Sequence, residues 1–163
     1  EARSVSDSSV EIRNNSGRRL GPVWVIAGDK TALLAELPAG ASKEVDVSAS
    51  GSGAISDFIG RWDSRFQTAL GQREDAFGGG DRQPIDEWPE AAAAVSFPSA
   101  LQSPNGSYVW PTGFDLSPLL RRGDRVVLAW MADSTVTPPL NQFPTPRSRK
   151  GTLIRLAVPA AAP

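Results

Sequence analysis

The chain opens with short apolar runs separated by turn residues. Val10 and Ile12 alternate with Glu11 and Arg13 up to the tetrad Asn14-Asn15-Ser16-Gly17. That period predicts a half-buried strand over residues 9–14. Pro22, which has no amide hydrogen and so opens a strand or lies at its edge, precedes Val23-Trp24-Val25-Ile26-Ala27. This second strand is apolar on both faces and is expected to be buried. Gly28-Asp29-Lys30 then has hairpin length, predicting antiparallel pairing with a strand over 31–37. After the reversal at Pro38-Ala39-Gly40, Val45 and Val47 alternate with Glu44, Asp46 and Ser48. The N-terminal third thus reads as a β-meander of about four strands.

The period changes between residues 50 and 106. Ser50-Gly51-Ser52-Gly53 reads as a flexible joint, and Ile55, Phe58, Ile59, Trp62, Phe66 and Leu70 then recur at helical spacing. Ser56 or Asp57 is the expected cap of that helix, with Gly71 past its end. A short helix over Pro89 to Val95 follows, stopped before Pro98. Strand character returns at Ser107-Tyr108-Val109-Trp110. Arg125 to Ala132, the most apolar run, predicts a central strand. Thr152 to Val158 predicts a last one, with Ile154, Leu156 and Val158 on one face. Four prolines between Thr137 and Arg149 predict an extended loop.

The expected fold is therefore mainly β, an immunoglobulin-like antiparallel β-sandwich of about seven strands carrying a helical insertion. Residues 1–163 are expected to form one domain, with the insertion over 51–106 and a linker-like tail at 159–163. The strand-bearing ends, Val10-Glu11-Ile12-Arg13-Asn14, Leu33 to Pro38 with Gly40, and Arg125 to Trp130, also resemble extracytoplasmic β-sandwich domains of bacterial membrane-anchored proteins of unknown function. The resemblance implies an extracytoplasmic setting, periplasmic or at the cell surface. It supplies no catalytic residues. Glu1 in place of Met, with no basic-then-apolar leader, is what a processed or trimmed product shows.

Composition narrows the chemistry. There is no Cys and no His, which removes disulfides, thiolate nucleophiles, histidine triads and ordinary zinc sites. Seventeen basic against 18 acidic residues leave a net charge of −1, so broad attraction to nucleic acid is not expected. The longest apolar runs fall far short of the roughly 20 residues that cross a bilayer. Neither dinucleotide nor P-loop glycine patterns occur, and Gly78-Gly79-Gly80-Asp81 is a single copy of a calcium-type repeat. No cofactor or metal is implied.

Three classes of function remain at this stage. The first is a non-catalytic interaction or structural domain of a larger bacterial protein, with a protein or glycan partner. The second is a carbohydrate-binding module that stacks sugars on exposed tryptophan, Trp88 or Trp110. The third is a carboxylate-dependent hydrolase built on Asp75, Asp81, Asp86 or Glu87. Recognition residues are expected in the two stretches with little apolar periodicity, 71–89 and 134–149. Within them Phe77, Trp88, Leu140 and Phe143 are apolar side chains in polar or proline-rich surroundings, and with Trp110 they form the candidate binding set. Trp24 and Trp130 are expected in the core. Small basic clusters at Arg18-Arg19, Arg121-Arg122 and Arg147 to Lys150 read as solvated turns.

Overall fold

The structure, a computed structural model, describes residues 1–49, 53–60, 88–94, 96–97, 115–132 and 151–160. Strands β1 (Ala2–Ser4), β2 (Ser9–Arg13) and β5 (Ser42–Asp46) form one antiparallel sheet in the order β1-β2-β5. Strands β3 (Val23–Ala27), β4 (Lys30–Leu34), β6 (Gly53–Ala54), β7 (Arg125–Ala132) and β8 (Gly151–Val158) form a second, in the order β6-β4-β3-β7-β8. Three helical segments are described: α1, whose described part is 55–60, α2 (Trp88–Ala94) and α3 (Ser117–Arg121).

The first two strands read from the sequence, β2 and β3, lie in different sheets and do not pair, so the expected meander is corrected. β2 pairs with β5, from Ser9↔Asp46 to Arg13↔Ser42, while β3 lies in the other sheet between β4 and β7. The physical reason lies in the two apolar patterns. β2 and β5 alternate and have one face to bury, which suits a sheet with one solvated side. β3 is apolar on both faces and needs cover on both. The β3–β4 hairpin forms as expected, with Ala27 opposite Lys30 across a two-residue turn and Gly28 at φ +57°. β4 stops at Leu34, and Leu37 makes only an isolated bridge to Leu20.

Two apolar clusters fill the spaces on either side of the five-stranded sheet. Val10 and Ile12 of β2 meet Val23, Val25, Val127 and Ala129 in the first, to which both sheets contribute. The alternate residues Trp24, Ile26, Val126 and Leu128 form the second, covered by Phe58 and Ile59 of α1 and Ala93 and Ala94 of α2. The strand period of two sends successive β3 and β7 side chains into opposite clusters. Alanine at 93 and 94, both fully buried, lets α2 approach the sheet closely. Ile154, Leu156 and Val158 join the first cluster, so the shared face expected for β8 holds.

The joint expected at Ser50–Gly53 is corrected in part. Gly53 and Ala54 pair with Thr31 and Lys30, and the Ile55 amide donates to the Asp29 carbonyl at 2.8 Å. Fixing the chain through Ala54 starts α1 at residue 55, so Ser56 and Asp57 lie inside its first turn. The strand expected at Ser107 to Trp110 lies outside the described residues. α3, not foreseen, follows an Asx turn in which the Ser117 amide donates to Asp115 Oδ1 at 3.0 Å. Pro118 sits in its first turn, and Gly123 at φ +84° follows its end.

Candidate functional site

Of the candidate binding residues, Phe77, Trp110, Leu140 and Phe143 lie outside the described residues, and Trp88 is the first residue of α2. The candidate hydrolase carboxylates Asp75, Asp81, Asp86 and Glu87 also lie outside them. Trp24 is core as expected, with its ring centroid 6.2 Å from that of Phe58 in a tilted arrangement. Trp130 is partly buried and packs over Gly151. Among the described residues, no group of three or more His, Cys, Asp and Glu is placed to hold a metal ion.

What the described framework does fix is the base of one candidate loop. β7 ends at Ala132 and β8 begins at Gly151, and these two residues are directly paired. Eight consecutive pairs between β7 and β8 make that base a rigid ladder. Trp130 braces it, because its indole occupies the space beside Gly151 that a Cβ would fill. The Gly21 amide donates to the Trp130 carbonyl and the Trp130 amide to the Pro22 carbonyl, at 2.8 and 2.9 Å, tying the same end to β3.

A shallow polar groove of about 270 Å³ lies along the three-stranded sheet, lined by Glu1, Ala2, Arg3, Glu11, Arg13 and Ser42. Residues 9, 11 and 13 point away from the first apolar cluster because Val10 and Ile12 point into it. Arg3 stands opposite Glu11, and the two form an ion pair, while Arg13 stands opposite Ser42. The Arg3 side chain is largely exposed, so this pair contributes at most about 1 kcal/mol. Alternating charges on an open surface can orient a charged partner and do not assemble acid–base chemistry.

Three polar side chains are held firmly. Asn14 is 1% exposed and shares its amide group among the carbonyls of Arg18, Leu37 and Pro38 at 2.6, 3.0 and 3.0 Å. Its Oδ1 accepts from the Ser16 amide and hydroxyl at 3.0 and 2.7 Å. Asp46 accepts from the Ser48 hydroxyl and amide, both at 2.7 Å, and the hydroxyl above all holds its carboxyl below the usual carboxylate range. This is a solvent-exposed turn. Arg125, at the start of β7, is buried and donates from Nη2 to the Ser6 carbonyl at 2.9 Å.

Sequence reasoning placed Asn14 in a turn and missed its burial. The signal present was an asparagine ending a strand at a reversal, which also describes many solvated turns. Arg125 was hidden as the leading residue of an apolar run. Its parity with Val127 and Ala129, which points it inward, was the readable clue. No helix among the described residues is long and apolar enough to cross a membrane. No family model, curated protein or solved structure matches the chain.

Proposed function

We propose that this chain is a non-catalytic interaction domain of a larger bacterial protein, set outside the cytoplasm, whose two sheets form an immunoglobulin-like sandwich presenting the 134–149 segment to a protein partner. The observation that carries the reading is the β7–β8 ladder, which holds both ends of residues 133–150 at one edge of a sheet whose strands β3 and β7 are buried on both faces. Loops carried on rigid sheets are where recognition residues concentrate. Leu140 and Phe143 are the contact residues of that segment, and Phe77, Trp88 and Trp110 extend the set. The apolar cluster shared by the two sheets supports the sandwich arrangement.

Removing the segment tests this directly. Joining Ala132 to Gly151 through an Asn-Gly turn preserves every β7–β8 pair and shortens the connection from 18 residues to two. The domain should still fold, gaining up to about 2 kcal/mol from the smaller closure entropy. It should lose its cross-linked protein partners in the producing cell. Loss of folding would place the segment in the core and overturn the reading, as would unchanged cross-linking. Glycan-array binding that depends on Trp88 or Trp110 would replace the protein partner by a carbohydrate.

A further inference from the structure

Trp130 stands two residues before the end of β7, diagonally across the ladder from Gly151, the first residue of β8. Its amide donates to the Pro22 carbonyl and its carbonyl accepts from the Gly21 amide, so its backbone faces β3 and Trp130↔Leu153 is a non-hydrogen-bonded pair. By the alternation of an antiparallel ladder, Ala132↔Gly151 is a pair of the same kind, in which side chains across the two strands come closest. Gly151 has no side chain to place there. The Trp130 indole takes the space instead, and a Cβ at residue 151 would fall on its Cζ2. The other flank is as tight, because a Cβ on Gly21 would meet the Ala35 carbonyl oxygen at 2.6 Å. Trp130 is therefore held between two backbone positions that have no room for a side chain.

We infer that Trp130 is a positioning residue, whose indole, fitted onto Gly151, sets how residues 133–150 are presented to a protein partner. The inference rests on the proposed function. Glycine has the widest backbone freedom of any residue, and an aromatic side chain laid across a strand glycine takes that freedom away. The indole itself cannot drift, since it packs against the second apolar cluster beside Leu153 and its backbone is tied to Pro22 and Gly21. Gly151 is thus fixed through Trp130 to β3, a strand buried on both faces. The fit is mutual. A methyl group at 151 meets the ring, and a smaller ring at 130 leaves the glycine uncovered.

The test is a double-mutant cycle in the full-length protein, with Trp130→Phe, Gly151→Ala and both together, each carrying a benzophenone amino acid at position 140 or 143 in the producing cell. Each single change should cut the yield of protein adducts about fivefold or more, and the double variant should recover most of it, because the alanine methyl fills the space that the indole leaves. Ile26→Val, which removes one methylene from the fully buried second cluster, lowers stability without touching this contact and should leave the yield unchanged. Gly151→Ala against Ile26→Val carries the comparison alone if Trp130→Phe fails to fold. No adducts from the otherwise unaltered chain would overturn the proposed function and this inference with it. Adducts from that chain that persist at full yield in Gly151→Ala, or that fall equally in Ile26→Val, would overturn the positioning role and leave the proposed function standing.

Discussion

Replacing Asn14 should destabilise the fold more than any other polar change among the described residues, and the way it does so depends on the replacement. Its amide has two hydrogens for three carbonyls, so at least one is shared, and Oδ1 takes two donors from Ser16. Each such bond contributes about 1 kcal/mol net. The Ser16 donors can turn to water, and the Leu37 carbonyl keeps the Leu20 amide while that of Pro38 keeps the Ala41 amide. The loss on Asn14→Ala is then dominated by the two buried amide hydrogens and the void, about 2–4 kcal/mol. Asn14→Asp keeps the Ser16 contacts but points a carboxylate at three carbonyl oxygens. It should cost more than alanine at neutral pH. Burial and the carbonyls raise the pKa of the introduced carboxyl, so the excess cost is absent in acid and grows as pH rises through that raised value. Urea unfolding at pH 7 and pH 4 measures both variants, with unchanged m-values required for the comparison. An Asn14→Ala cost within about 0.5 kcal/mol of zero, or an Asn14→Asp variant milder than alanine at pH 7, would refute the reasoning.

Other consequences follow from single observations. Gly151→Ala should displace Trp130, since the added Cβ falls 1.9 Å from its Cζ2, with a shifted tryptophan emission and a cost of about 1–3 kcal/mol in thermal unfolding. Unchanged emission would show that the indole does not lie over residue 151. Phe97→Ala, at a fully buried position, should cost about 3–5 kcal/mol, whereas Leu33→Ala, at one 61% exposed, should stay within about 0.5 kcal/mol. Similar costs for the two would contradict the second cluster. The Asp46 carboxyl should titrate below the usual carboxylate range in a carbon-13 NMR titration and move up in Ser48→Ala. Because its folded pKa is depressed, the associated stability is present above the ordinary aspartate range and is lost as pH falls through the lowered value. A Ser48→Ala titration no different from that of the unaltered chain would remove the hydroxyl as the cause.

The strands that carry most of the buried surface were readable from residue pattern alone. Val23 to Ala27 and Arg125 to Ala132 are continuous apolar runs, and both lie inside the five-stranded sheet with cover on each side. Val10 and Ile12 alternate with charged residues, and their strand has one solvated face. Pairing was less legible than membership, because β2 meets β5 across a long sequence separation and only tertiary closure selects that partner. β1 and β6 are three and two residues long and have too few positions to show a period. α3 escaped for the same reason, although Ser117-Pro118 and Gly123 mark its ends. Of the candidate binding set the described framework fixes only the place of Trp88 at the head of α2 and the two paired residues between which Leu140 and Phe143 are strung. The polar groups that matter structurally, Asn14 and Arg125, were hidden because sequence does not tell a buried turn residue from a solvated one.

On the proposed function, the domain binds a protein through the segment between β7 and β8. A photo-cross-linking amino acid placed singly at Leu140 or Phe143, and at Glu44 on the charged face of β5 as the framework control, tests it within the full-length protein in the cell that produces it. Irradiation should yield discrete protein adducts from positions 140 and 143 and none from position 44. Adducts from position 44 alone, or none from 140 and 143 while the protein remains folded, would contradict it.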